Sequence, residues 1–465
     1  MYPLGKKYKT NLFKYVDIIF YILLFNLSFY LLLKKKSDPS YSTNIYMWLS
    51  IIMTLLGLIF FYIYGLFSIS KKTLGDSICS LGFSIVLLNF MTWFLTLFDK
   101  KFIYPRKIFI YLGIFQFFIL GIWLIFSWKI QRRLGSPINL MIIGDRDSAE
   151  TIINKLFKLK NRDFNIKYIC NNIEILEKYI ENIDEIIICS KVSENYKGYI
   201  VNKCIDYNKG LYIIPQIQDI AMANTTLEEF DDMPVFKISS FNISFGNRVL
   251  KRFFDIIISA VCIITLSPIM LVLVIIIKLY DGGPVLYKQE RMTEGNRAFK
   301  LYKFRTMVVD AEKYTGPVLA EDKDPRITSV GNFLRSTRLD EIPQLFNVLK
   351  GDMSIVGPRP EREYFIDMFT KTIPEFKYRT NVKAGITGLA QVLGKYTTTP
   401  EDKLRYDLLY IKKYSLLLDF KILVQTVKVI FMKESSQGVV IEKDEEKLFK
   451  GLDIEGFENS GIVKF

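Results

Sequence analysis

The chain has 465 residues, of which 50% are hydrophobic and 15% aromatic, and it carries a formal charge of +14. That length allows several domains. The absence of histidine removes the usual general base, the imidazole of a catalytic triad and histidine metal ligands, so any chemistry must rest on carboxylates, Lys, Arg, Tyr or Cys. Hard oxygen ligands then imply Mg²⁺ or Mn²⁺ rather than zinc. Cys79, Cys170, Cys189, Cys204 and Cys262 are scattered without CxxC spacing, mostly in apolar runs, as packing thiols are. Because the cations are interleaved with apolar segments, anionic lipid and a phosphate-bearing substrate explain them better than nucleic acid does.

Four apolar runs come first: Leu12 to Leu33, Ile45 to Phe67, Ile78 to Phe98 and Ile108 to Trp128. Each is long enough to cross a hydrocarbon core of about 30 Å at about 1.5 Å per residue. Lys34 to Lys36, Lys71, Lys72, Lys100, Lys101, Arg106 and Lys107 put positive charge in loops on both sides, so charge bias does not fix the orientation. The first run exceeds a signal-peptide core and no small-residue cleavage site follows it, so it is read as a retained helix. Residues 1–133 are thus predicted to form a four-helix transmembrane bundle.

After Arg133 the texture changes. INLMIIG (Ile138 to Gly144), FNIKYIC (Phe164 to Cys170), EIIIC (Glu185 to Cys189) and LYIIP (Leu211 to Pro215) alternate with polar helical stretches. This predicts a Rossmann-like parallel α/β domain over 134–244. Its first turn, Gly144 to Ala149, keeps only one glycine of a dinucleotide fingerprint, so a side chain blocks the approach of a pyrophosphate. No bound cofactor is expected, and the domain is given a structural or regulatory role.

A second membrane feature spans Val249 to Leu279, interrupted by Ser267-Pro268. Proline removes a helical hydrogen bond and bends the chain. The part before it, Arg252 to Leu266, rises only about 22 Å, short of a core of about 30 Å. Lys251 and Arg252 at one end and Lys278 at the other suit a helix that enters and leaves by one interface. A fifth, kinked transmembrane helix fits the same residues.

The chemistry is placed at LRSTRLDEIPQL, Leu334 to Leu345, where Asp340 and Glu341 stand in a basic surround. Leu339, Ile342, Leu345, Phe346 and Leu349 recur at helical spacing, Pro343 marks a helix start and Gly351 a stop. The two acids therefore sit at or just before a helix N-terminus, whose dipole is expected to keep a carboxylate ionised. In an isolated Asp-Glu pair, capping would be the ordinary explanation. Here KFRTM (Lys303 to Met307), DPRIT (Asp324 to Thr328) and GDMSIVGPRPE (Gly351 to Glu361) supply further cations and carboxylates. Tyr406 to Met432, with Lys412, Lys413, Lys421 and Lys428, reads as a basic amphipathic helix pair on anionic lipid, or equally as core-packed helices.

In order and spacing these motifs, with KRFFD (Lys251 to Asp255), GGPVLYKQER (Gly282 to Arg291), NVKAGITGLAQV (Asn381 to Val392) and YDLLYIKKYSLLLDFKIL (Tyr406 to Leu423), resemble the bacterial sugar transferases, monotopic polyprenyl-phosphate phosphoglycosyltransferases. The resemblance implies an α+β catalytic domain over 245–433 with a re-entrant membrane helix at 249–279 broken at Ser267 and Pro268, and a charged tail at 434–465. It implies transfer of a sugar 1-phosphate from a UDP-sugar to undecaprenyl phosphate, at the cytoplasmic face of the bacterial inner membrane. Asp340 would be the nucleophile that becomes covalently loaded, Asp340 and Glu341 would handle Mg²⁺ or Mn²⁺, and Arg359 would contact substrate phosphate. Lys303, Arg305 and Arg326 are further candidates for phosphate contact, membrane lipids are partners and a homodimer is expected. Met292 and Arg338 depart from the family pattern, which puts the choice of sugar or nucleotide in doubt and leaves the reaction intact. Two other readings stay open: a lipid-linked glycosyltransferase that releases UDP, and a non-catalytic membrane scaffold.

Overall fold

The computed structural model describes residues 15–27, 43–67, 72–96, 107–134, 137–157, 164–171, 173–308, 324, 326–394, 398–430 and 462–464. The ends of several predicted apolar runs, and most of the predicted tail, lie outside these residues. The chain divides into two compact units, Met1–Ile214 with Asp444–Phe465, and Pro215–Lys443.

The first unit opens with four apolar helices, α1 Tyr15–Leu27, α2 Thr43–Ile63, α3 Leu74–Thr96 and α4 Lys107–Leu134. Tyr21, Phe61, Leu81 and Leu120, one from each, meet in a single core. Polar groups also turn inward. The buried Asp17 carboxylate accepts from Trp123 Nε1 (3.1 Å), Ser127 Oγ (2.7 Å) and Gln131 Nε2 (2.6 Å). Tyr62, Val86, Ile110, Phe118 and Ile122 point outward and are exposed. Polar inside and apolar outside is the arrangement hydrocarbon demands, because an unpaired polar group there costs several kcal/mol. The chain is accordingly a membrane-associated protein. α3 and α4 are long and apolar enough to cross a bilayer, whereas the described apolar stretches of α1 and α2 are shorter.

The same unit continues with β1 Ile138–Ile143, α5 Arg146–Phe157, β2 Phe164–Cys170, α6 Ile173–Tyr179, β3 Glu185–Ile188, α7 Glu194–Asp206 and β4 Gly210–Ile213. β1 pairs in parallel with β2 and β3, and β3 with β4, as the apolar runs predict. Leu140 to Ile143 are buried without alternation, which a strand covered on both faces requires. A Cβ on Gly144 would lie 2.4 Å from that of Cys189, so this glycine serves close packing against the end of β3. The tail, to which no motif is assigned, contributes a strand at Ile462–Lys464 that pairs antiparallel with β2.

The second unit contains α8 Ile217–Met222, the hairpin β5 Thr226–Phe230 and β6 Met233–Lys237, α9 Phe245–Asp281, the hairpin β7 Leu286–Thr293 and β8 Arg297–Phe304, and α10 Ser329–Thr337. A 3₁₀ turn at Leu339–Glu341 leads into α11 Gln344–Lys350, followed by β9 Ser354–Val356, α12 Glu363–Thr372, β10 Gly385–Thr387, α13 Leu389–Leu393, α14 Pro400–Lys412 and α15 Leu416–Ile430. This unit reaches back to Pro215 because Ile220 and Ile243 lie in its core and Arg405 Nε donates to the Pro215 carbonyl (3.0 Å).

Ser267 and Pro268 lie inside α9, a helix of 37 residues. Pro268 has no N–H for the Ile264 carbonyl four residues earlier, and Ser267 Oγ donates to that carbonyl instead (2.8 Å). The hydroxyl thus replaces the bond that proline removes. Along one side α9 packs on its own unit, through Ile258, Cys262 and Leu266 and then Leu273 and Ile277. Phe253, Val261, Ile264, Leu271, Ile275 and Leu279 stay exposed on the other.

Lys251 and Arg252, near the start of α9, have partners within the protein. Lys251 Nζ donates to Asp419 Oδ2 (2.6 Å), and Arg252 donates to the carbonyls of Val348 (2.5 Å) and Leu349 (2.7 Å) at the end of α11. Lys412 likewise turns inward, to Ser239, and Leu404, Leu408 and Ile411 are buried in the unit's core. Of the two readings of this region, α14 fits the core-packed helix.

Candidate active site

Pro343 caps α11 and Gly351, at φ 97°, ends it, as their places in the sequence predict. Asp340 and Glu341 stand just ahead, in the 3₁₀ turn. The backbone enters that turn through Arg338 at φ 58°, a left-handed conformation that costs an L-residue roughly 1–2 kcal/mol. Adjacent residues diverge on so tight a turn, and the two carboxylates have opposite surroundings.

Glu341 is clamped. Lys303 Nζ, at the end of β8, donates to its Oε1 at 3.0 Å, and Arg359 Nη2, in the loop after β9, donates to the same oxygen at 3.1 Å. Burial alone would raise its pKa, but Lys303, and then Arg359 and Arg338, outweigh burial and hold the carboxyl well below the usual range. Arg359 is raised in turn, chiefly by the charge of Glu341.

Asp340 is the contrary case. It is 7% exposed, and its Oδ1 is buried without a hydrogen-bond partner. Burial pushes its pKa up, and the charge of Glu341 adds to the push against the attraction of Lys303, Arg335 and Arg338. The helix dipole, expected to favour the ionised form, is thus outweighed, and that form is harder to hold here than in water. A dipole contributes about 0.3–1 kcal/mol near a helix end, whereas taking a carboxylate out of water costs several.

The structure thus brings together Asp340, Glu341, Lys303 and Arg359 from three separate segments. Arg326 is occupied elsewhere: its Nε and Nη2 grip Asp324 at 2.9 and 2.6 Å. The Arg305 guanidinium lies where a Cβ on Gly283 would meet it at 2.7 Å, and so fills the space over the Gly282-Gly283 turn. Ser267 and Pro268 lie within α9. Arg335, which the sequence reading did not single out, donates through Nε to Thr306 Oγ1 (2.9 Å) and acts on Asp340 by its charge. Its spacing from Asp340 is the only signal that could have found it.

Among the described residues no group of three or more Cys, Asp or Glu side chains gathers as a metal site. Mg²⁺ does not need one, since it keeps several waters and takes one or two carboxylates along with substrate phosphate. The open oxygen of Asp340 beside Glu341 fits that requirement.

Fold and site together define a membrane-associated protein whose second unit carries paired carboxylates in a cationic, partly enclosed site. Residues 246–433 match the family described as bacterial sugar transferase. It is 45% identical over 184 residues to a UDP-N-acetylgalactosamine-undecaprenyl-phosphate N-acetylgalactosaminephosphotransferase of Aeromonas hydrophila, covering 39% of this chain and 43% of that protein. It is 38% identical over 242 residues to a UDP-glucose:undecaprenyl-phosphate glucose-1-phosphate transferase of Klebsiella pneumoniae, covering 51% and 52%. An undecaprenyl-phosphate galactose phosphotransferase of Salmonella typhimurium is 34% identical over 244 residues, covering 49% and 50%. The chain thus spans about half the length of the curated relatives it matches.

Proposed function

We propose that this protein transfers a sugar 1-phosphate, a hexose 1-phosphate, from a UDP-sugar to undecaprenyl phosphate and releases UMP. One observation carries the reading: a buried carboxylate with an open oxygen, Asp340, beside a carboxylate that two cations hold ionised, inside the segment that matches the family. Burial makes the Asp340 anion reactive by depriving it of water, and no partner holds back its Oδ1. In the first step Asp340 forms a bond to the sugar-bearing phosphorus, the bond from that phosphorus to the bridging oxygen breaks, and UMP leaves. In the second a phosphate oxygen of undecaprenyl phosphate takes the same phosphorus and the Asp340 carboxylate departs. The intermediate is an acyl phosphate, which keeps the transfer activated without other energy input.

Lys303 and Arg359, held in place by Glu341, face the diphosphate and offset its charge. Asp340 and Glu341 would hold Mg²⁺ or Mn²⁺, which when bound neutralises phosphate charge. The α9 helix would enter and leave the cytoplasmic face of the inner membrane. In support, one side of α9 packs on its own unit from Ile258 to Ile277, which a helix standing free across a bilayer could not do. A homodimer initiating lipid-linked exopolysaccharide, capsule or O-antigen synthesis completes the proposal. Assay of a UDP-sugar panel with undecaprenyl phosphate and Mg²⁺ tests it. UMP is the expected product; UDP would mark a glycosyltransferase, and no turnover on any donor a scaffold.

A further inference from the structure

The arginine assigned to substrate phosphate sits in Gly357-Pro358-Arg359-Pro360-Glu361, where neither proline has an N–H. Gly357 N donates to Thr387 O (2.8 Å), but neither proline can anchor the segment in that way. Four successive carbonyls are held instead. Gly385 N donates to Pro358 O (2.8 Å), Arg379 Nη2 to Arg359 O (3.0 Å), Arg291 Nη1 to Pro360 O (3.4 Å) and Met292 N to Glu361 O (3.0 Å). The bond that bears on Arg359 itself comes from a side chain, and that side chain is the most constrained of the set. Arg379 is 6% exposed, its Nη2 also reaches Asp407 Oδ2 at 2.9 Å, its Nη1 lies 3.8 Å from Glu361, and its guanidinium stacks 4.9 Å over the buried Phe376 ring. Asp407 is buried in turn on α14, at 2% exposure.

A buried charge pair is weak evidence for stability, because the cost of removing both ions from water offsets most of their attraction. It is better evidence for geometry. A planar fork that reaches a backbone carbonyl and two carboxylates at once can be satisfied in only one place. We propose that Arg379, locked by Asp407, is a positioning residue that aims the Arg359 guanidinium at the donor's diphosphate. The proposal rests on the reading of Arg359 as the phosphate contact. Lysine at 379 would keep the charge and lose the fork, so it could hold Asp407 or the Arg359 carbonyl but not the set.

The test is UDP binding, followed by titration calorimetry on the full chain in detergent with Mg²⁺, for wild type, Arg359→Ala, Arg379→Lys and the double variant. Each single change is expected to weaken UDP about tenfold, equivalent to about 1.4 kcal/mol, and the double variant should be no weaker than Arg359→Ala alone. Additive losses would overturn the proposal while leaving the role of Arg359 intact. Arg359→Ala with unchanged affinity would remove that role, and the proposal with it. Should Arg379→Lys show no melting transition, Asp407→Asn takes its place. It is expected to weaken UDP about threefold in the wild-type background, by less than 1 kcal/mol, and not at all in Arg359→Ala; equal losses in both backgrounds would again overturn the proposal.

Discussion

Asp17 in the helical bundle and Asp340 in the second unit are both buried carboxylates, and they are treated in opposite ways. Asp17 receives three hydrogen bonds, from Trp123, Ser127 and Gln131, so removal from water is compensated on the spot. Asp340 keeps an oxygen without any partner. A protein tolerates an uncompensated buried acid where the acid has other work to do, and the contrast separates a carboxylate that ties helices together from one that reacts.

The largest expected effect follows from Asp340→Asn. The amide cannot attack phosphorus, so transfer should fall by 10³-fold or more, on the order expected for loss of a nucleophile. Because the folded state raises the pKa of Asp340, its ionised form disfavours folding at neutral pH, and the same variant should melt at a higher temperature than wild type. A lower melting temperature would put Asp340 in the same class as Asp17.

Glu341→Gln should act in the reverse sense on stability. It leaves Lys303 and Arg359 without their shared anion, and calorimetric melting should show a loss of about 1–3 kcal/mol alongside reduced transfer. Asp17→Ala strands three donors inside the bundle and should cost about 1–3 kcal/mol, read as lower yield and melting temperature. UMP release by the folded fraction should be unchanged. Loss of turnover in well-folded Asp17→Ala would break the comparison.

An effect of similar size, but dependent on pH, belongs to Asp407, whose pKa burial pushes up to about 6 against the pull of Arg379. Its folded value lies above the unfolded one, so its contribution to stability is full below about pH 4 and is lost as pH rises to about 6. Over that window wild type should lose on the order of 2–3 kcal/mol relative to Asp407→Asn. A flat difference between the two would show that Arg379 fully offsets the burial. Smallest of all, Ser267→Ala removes the donor to the Ile264 carbonyl and should cost about 0.5–1.5 kcal/mol, read as a lower melting temperature.

What the sequence made legible is what short-range chemistry decides. The four strands of the Rossmann-like sheet follow from apolar runs, and the limits of α11 from Pro343 and Gly351. Lys303 and Arg359 stand beside the paired acids because ordered motifs brought them there. What it hid depends on distant partners. That Ser267 donates to the carbonyl Pro268 leaves open is not visible in a Ser-Pro pair. Lys412 reads equally as a lipid-facing or a core cation until Ser239 is seen to take it, and the partners of Lys251 and Arg252, Asp419 and the α11 carbonyls, lie far off in sequence. Nothing local ties Arg379 to Asp407, 28 residues away. The upward push on the Asp340 pKa was hidden for the same reason, since a helix start is visible in sequence and the depth of burial is not.

The central claim is that Asp340 carries the sugar phosphate. Incubating the full chain with a UDP-sugar that it turns over, with Mg²⁺ and without undecaprenyl phosphate, should leave one hexose phosphate on the peptide that contains Asp340, visible by mass spectrometry after acidic handling. The adduct should disappear when undecaprenyl phosphate is added, and should never form in Asp340→Asn. An unmodified peptide, together with near-normal turnover by Asp340→Asn, would contradict the account and make direct attack by undecaprenyl phosphate the mechanism.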